Sequence, residues 1–238
     1  MRVALFVPCY IDQFYPQVGI ASLQLLERLG CEVYIPENQT CCGQPMANSG
    51  FANTSVGCDT NFTQNFEGFD YIVGPSGSCI LHIKEHHPNE KIRNSVFEIC
   101  EFLTDVLKIT SLNATFPFKV GLHQSCHGQR GLGLSSMSEL NAKPFTKVSN
   151  LLDLVQGIQW VYPKRSDECC GFGGTFCVTE EAVSVKMGKD RIQEHEELEV
   201  EFITGTDTSC LMHLEGILRR QKSKVKVIHI VEILNSYA

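Results

Sequence analysis

Eight of the twelve cysteines in this 238-residue chain fall into one pattern that is written twice. Each copy holds a lone Cys, then Cys-Cys-Gly, then a Cys that follows Ser. The first set is Cys9, Cys41-Cys42-Gly43 and Cys79; the second is Cys126, Cys169-Cys170-Gly171 and Cys210. The repeat extends past the cysteines: residues 3–9 align with 120–126, 30–36 with 157–163, 74–82 with 205–213, and 96–103 with 227–234. The separation grows from 117 residues at Cys9 and Cys126 to 131 at Cys79 and Cys210, so the second copy carries small insertions. Whatever one half folds into, the other must fold into as well.

Within each half, short β-branched and aromatic runs alternate with longer stretches of helical period. Strands are expected near 2–7, 32–35, 70–73 and 96–99, and again near 119–124, 159–162, 200–204 and 225–229. A helix is expected over 17–29, with Ile20, Leu23, Leu26 and Leu29 as its apolar positions and Gly30 as its stop. Residues 177–198 and 208–220 read as further helices. This alternation predicts an α/β fold of two pseudo-symmetric halves, each a small, mostly parallel sheet flanked by helices. Ser111, Asn113 and Pro117 mark the link, so the expected domains are 1–113 and 114–238.

Several classes of function are disfavoured at this level. A net charge of −7 leaves no basic surface dense enough for nucleic acid. No apolar run approaches the ~18 residues of a membrane span, and the run after Arg2 is too short for a secretory signal. A cytoplasmic chain is expected, in which many cysteines are better read as metal ligands than as disulfides. There is no Gly-x-Gly-x-x-Gly after a strand and no phosphate-binding Gly-x-x-x-x-Gly-Lys-Ser/Thr.

The strand pattern places Cys9 and Cys126 after the first strand of each half, and the Cys-Cys-Gly loops beyond the second. Cys79 and Cys210 follow the third, near a helix N-terminus. Carboxyl ends of parallel strands form ligand crevices, so four thiols are expected to meet in a separate pocket in each half. Thiolates select zinc, copper(I) or iron–sulfur clusters. Adjacent cysteines diverge around a single tetrahedral ion but reach different irons of a cluster, and neither half has the Cys-x2–4-Cys pair usual for zinc. Iron–sulfur is therefore favoured, with zinc as the alternative; a vicinal disulfide enzyme lacks the usual Cys-x-x-Cys.

These residues resemble the duplicated Cys-Cys-Gly cysteine-rich domain family. The carriers are Pro8-Cys9-Tyr10, 39–45 around Cys41-Cys42-Gly43, 74–79 ending in Cys79, Cys126-His127, 168–174 around Cys169-Cys170-Gly171, and Ser209-Cys210. The family includes a heterodisulfide reductase component and the iron–sulfur subunits of glycolate oxidase and anaerobic glycerol-3-phosphate dehydrogenase. A stand-alone pair of such domains is most similar to its lactate utilization A group. The resemblance implies a cytoplasmic oxidoreductase subunit, not active alone, that transfers electrons while L-lactate is oxidised to pyruvate. It implies one [4Fe–4S] cluster per half, bound by the eight cysteines above, and other iron–sulfur subunits as partners. Glycolate or another 2-hydroxy acid is the alternative substrate, and a non-redox zinc-binding scaffold the alternative role. One departure stands out: the family motif ends in Cys-x-x-Cys, and its first position here is Ser76 or Asp207. That loss argues against the non-cubane cluster of the heterodisulfide reductase relatives.

Cys31 and Cys100 sit in apolar runs and read as core residues; Cys58 and Cys177 also lack a counterpart in the other half. His123 and His127 flank Cys126, while His82 and His213 each follow the last Cys of a set by three residues and read as support for it. His86, His87 and His195 read as surface residues. A bound 2-hydroxy acid needs a cation for its carboxylate, and Arg130 is the nearest candidate.

Overall fold

The computed structural model describes residues 1–140, 143 and 145–237. In chain order the first half contains β1 (Arg2–Leu5), α1 (Cys9–Phe14), α2 (Pro16–Arg28), β2 (Glu32–Tyr34), α3 (Gln44–Asn48) and α4 (Val56–Phe66). It continues with β3 (Tyr71–Gly74), α5 (Gly77–His86), α6 (Glu90–Ser95), β4 (Val96–Glu98) and α7 (Ile99–Glu101), which widens into a π-helical turn over Phe102–Val106. The second half contains β5 (Lys119–Leu122), a π-helical turn at His127–Gly131, α8 (Lys147–Leu152), β6 (Gln159–Val161), α9 (Phe176–Thr179) and α10 (Glu181–Glu197). It ends with β7 (Phe202–Gly205), α11 (Thr208–Gln221), β8 (Lys226–His229) and α12 (Ile230–Leu234).

The strands form two all-parallel sheets of identical topology, β2-β1-β3-β4 and β6-β5-β7-β8. All eight expected strands are present, each within a few residues of its predicted bounds. In each sheet the chain steps from the first strand to one side and then crosses to the other. Ala4 therefore pairs with both Tyr34 and Ile72, and Gly121 with both Val161 and Ile203. This reversal makes the crevice at the carboxyl ends of β1 and β3, and of β5 and β7.

Both faces of each sheet are buried, with alternate residues going to different cores. Val3, Leu5 and Val73 point into a central core, while Ala4, Phe6 and Ile72 point into an outer one under α4 and α5. The second sheet likewise sends Val120 and Leu122 to the same central core and Ile203 to an outer core under α10 and α11. The central core is shared by the two halves, which exchange elements across it. α12 of the second half packs on α2 of the first, and α7 of the first packs on α8 of the second. The exchange repeats nearer the cysteines: α1 contacts α11, and α5 contacts the His127–Gly131 turn.

Two helices depart from the sequence expectation. In α2 the buried stripe is Val18, Ala21, Leu25 and Leu26, whereas Ile20 is 55% exposed, because the shared core approaches from a different side. Gly30 does stop this helix, at φ +85°. The helix expected over 177–198 is broken at Glu180, whose φ of −121° and ψ of 46° separate α9 from α10.

Candidate metal centre

The Cys-Cys-Gly turn is built around its glycine. Gly43 and Gly171 have φ of +90° and +89°, a left-handed conformation that side chains resist. A Cβ on Gly171 would lie 2.6 Å from the carbonyl oxygen of Ser184, and one on Gly43 would lie 2.9 Å from Ser55 Cβ. The turn folds the glycine N–H back onto the first sulfur of the pair, at 3.5 Å for Gly43 to Cys41 and 3.3 Å for Gly171 to Cys169. Cys9 opens α1 directly after β1, and Cys126 opens the matching turn after β5. Cys79 and Cys210 are each the third residue of their helices, α5 and α11, at the positive end of the helix dipole.

Each half thereby assembles its own quartet. Sulfur contacts run Cys9–Cys41–Cys42–Cys79 in the first half and Cys126–Cys169–Cys170–Cys210 in the second. The electrostatics repeat as well. Cys41 is held far below the ordinary thiol range by contacts from Cys42 and Cys9, aided by the Gly43 N–H. Cys169 is lowered in the same way by Cys126, Cys170 and Gly171. Cys9 and Cys126 are pushed up, first by sharing a hydrogen bond with that low-lying sulfur and then by burial. Each quartet thus concentrates negative charge on the first Cys of its pair, as a soft-metal site does.

The quartets do not occupy two separate pockets. All eight cysteines line one cavity of about 530 Å³, because α1 and α11, and α5 and the His127 turn, pack across the pseudo-twofold. Its walls are closed by pairs from opposite halves: Ser49 and Thr175 hydroxyls 2.9 Å apart, Gln44 Nε2 3.5 Å from His127 Nε2, and Tyr10 edge-on to Phe172. Among the described residues lining it there is no Lys, Arg, Asp or Glu.

Asp207, at the position where the family motif has another Cys, bridges the halves. Its carboxylate, 1% exposed, accepts from the Ser78 N–H at 2.8 Å and the Ser78 hydroxyl at 3.1 Å, capping α5 of the opposite half. The Gly77 N–H donates to the Thr206 carbonyl at 3.2 Å beside it. The residue that departs from the motif serves the interface between the halves.

The remaining residues fall as follows. Cys31 and Cys100 are buried in the central core, as expected. Cys58 and Cys177 do not line the cavity, and the Cys177 thiol donates to the Gly174 carbonyl. His82 and His213 sit under the Cys-Cys-Gly turns: His82 Nε2 is 3.5 Å from a Cβ built on Gly43, and His213 Nε2 is 3.3 Å from the Ser184 carbonyl. Arg130 does not line the cavity; it is exposed and paired with Glu139 at 2.5 Å, so it is not a carboxylate anchor there. Two histidines expected at the surface are buried, His87 at 2% and His195 at 0% exposure, while His86 is exposed. Sequence places His123 only near Cys126. In space it belongs with the other end of the quartet, with a ring nitrogen and the sulfurs of Cys170 and Cys210 all within 4.8 Å of one another. Burial holds His123 neutral, its pKa lowered to about 3.

Comparison with known proteins follows this duplication. The model of the CCG cysteine-rich domain matches residues 3–84 and 120–215. Lactate utilization protein A of Oceanobacillus iheyensis is 38% identical over 100% of this chain and 98% of its own length. The protein of that name from Bacillus subtilis is 38% identical over 99% of this chain and 100% of its own, and that from Exiguobacterium is 41% identical over 98% and 97%. Among solved structures, an aspartate racemase homologue from Pyrococcus horikoshii overlaps with a TM-score of 0.33 at 11% identity, covering 98% of this chain and 95% of that one, a level that carries no functional weight. With both copies matched and relatives similar from end to end, this chain belongs to the CCG cysteine-rich domain family, in its lactate utilization protein A branch.

Proposed function

We propose that this chain is an iron–sulfur electron-transfer subunit of a cytoplasmic system that oxidises L-lactate to pyruvate. The halves, taken as units 1–113 and 114–238, each hold one [4Fe–4S] cluster. Cys9, Cys41, Cys42 and Cys79 hold the first; Cys126, Cys169, Cys170 and Cys210 hold the second. The observation that carries this is one cavity lined by all eight thiols and, among the described residues, by no Lys, Arg, Asp or Glu. Its 530 Å³ far exceeds what a bare ion needs, given about 30 Å³ for one water. Four cysteines per half are the ligand set of a [4Fe–4S] cluster, which when bound accepts and releases one electron at a time.

The chain's own residues supply position. The glycine turns hold the paired sulfurs, the α5 and α11 N-termini favour negative charge, and both halves contribute walls to the cavity. Among the described residues no Lys or Arg lines the cavity to fix a carboxylate, which supports electron relay over substrate binding, with partner iron–sulfur subunits carrying the chemistry. Lactate as the substrate is supported by the names of the full-length relatives. None of the described helices is long and apolar enough to cross a membrane.

Anaerobic purification with iron and labile-sulfide analysis tests the cofactor; about eight irons per chain is the expected result. Deleting the gene should abolish growth on L-lactate and spare growth on glycolate. A second reading has its own support: Cys170, Cys210 and His123 form a compact, buried N,S2 donor set of the kind zinc takes. A colourless chain with stoichiometric zinc would establish that reading instead.

A further inference from the structure

The duplication makes each half a control for the other, and next to the cysteines the two differ in polarity. Three residues before Cys9 stands Phe6; three before Cys126 stands His123. Phe6 packs edge-on against Phe62 and Phe66 of α4, at centroid distances of 5.2 and 5.7 Å, so the first quartet is backed by buried aromatic rings. At the same place in the topology, α10 supplies Arg191 and His195, both fully buried. Arg191 Nη1 donates to the Arg165 carbonyl, Nη2 lies 3.3 Å from Glu194, and Nε has no partner among the described residues. Glu194 and Glu168 also pair with the exposed Arg165, so the acids face outward charge as well as Arg191.

His123 is 1% exposed, and neither ring nitrogen has a partner among the described residues. An imidazole left so is short of a hydrogen bond that burial makes expensive to omit. The groups it faces are the sulfurs of Cys170 and Cys210. Hydrogen bonds to sulfur and local charge are what set the potential of a thiolate-bound iron–sulfur centre.

We propose that His123, as a hydrogen-bond donor, raises the reduction potential of the second centre above that of the first. This rests on the reading that each quartet holds an iron–sulfur cluster. An electron shared between the centres then resides in the second half: the first centre is oxidised by one electron, the second reduced by one, and no proton or bond changes place. His123 acts through the cluster ligands and is a positioning residue.

The test is a redox titration followed by electron paramagnetic resonance on the full chain loaded anaerobically with iron and sulfide. Cys79→Ala leaves the second centre alone and Cys210→Ala leaves the first alone. The former should be reduced at least tenfold more favourably, equal to 59 mV for a one-electron couple. In the otherwise intact chain, His123→Phe should bring the upper potential down toward the lower one, while His123→Gln, which keeps an N–H donor, should retain most of the gap. Equal or inverted potentials in the two single-centre variants overturn the proposal, even if His123→Phe fails to load. So does an unchanged gap in His123→Phe at full iron content. A wild-type chain that takes up no iron, or that holds zinc through His123, instead overturns the iron–sulfur reading, and this inference with it.

Discussion

At the scale of single residues, the two copies show how one structural task tolerates opposite chemistry. Glu98 and His229 occupy equivalent positions at the end of the fourth strand of each half, and each closes a capping box, with Glu101 and Glu232 respectively. Glu98 accepts from the Cys100 and Glu101 N–H groups, and His229 Nδ1 accepts from the Val231 N–H. Burial raises the Glu98 pKa from 4.5 to about 8 and lowers that of His229 from 6.5 to about 4. Between pH 4.5 and 8 the folded chain keeps a proton on Glu98 that the unfolded chain releases, so this residue costs stability as pH rises. Between pH 6.5 and 4 the unfolded chain takes up a proton that folded His229 refuses, so this one costs stability as pH falls. Denaturant unfolding should therefore show Glu98→Gln gaining on wild type from about pH 5 to pH 8, by roughly 3–4 kcal/mol. His229→Asn should gain on wild type from pH 6.5 to pH 4. A difference between mutant and wild type that stays flat across either window refutes the corresponding assignment. Neither protonation state was legible in the sequence, because both depend on burial by elements distant along the chain.

At the scale of elements, the turns and strands were the legible part. Apolar runs ending in Cys gave β1 and β5, and the two Cys-Cys-Gly copies marked turns whose glycines proved to be left-handed. These two turns differ in how much room they leave. An added Cβ on Gly171 meets the backbone oxygen of Ser184 in α10, which is fixed, whereas on Gly43 it meets the Ser55 side chain. Gly171→Ala should cost about 2 kcal/mol or more and reduce the second quartet's iron occupancy. Gly43→Ala should be the milder change; thermal melts combined with iron analysis would rank them, and the reverse order would contradict the local geometry. The surface expectation for His195 fails on α10, whose buried stripe is Ser184, Gly188, Arg191, Ile192 and His195. Polar side chains at helical spacing read as a solvated face. Here they are buried, with His195 admitted because Gly121 opposite it has no side chain: a Cβ there would lie 2.2 Å from His195 Nδ1. Pairing between helices of different halves is likewise absent from any local pattern.

At the scale of the whole molecule, the duplication is visible in sequence but the way its products hold each other is not. The central core draws Leu25 and Leu26 from α2, Leu103 from the turn after α7, Leu151 and Leu152 from α8, and Ile233 and Leu234 from α12. Neither half closes this core alone. Fragments 1–113 and 114–238 expressed separately should lack a cooperative unfolding transition, and mixing them should restore one with one-to-one stoichiometry. Two fragments that each melt cooperatively would show the halves to be independent. The exchange of final helices, α7 onto α8 and α12 onto α2, also bears on origins. A single-copy ancestor with this topology would have left its closing helix without a seat on its own body. Two single copies related by a dyad would complete one another in the same way, so the one polypeptide supplies internally the reciprocal seats of a symmetric homodimer.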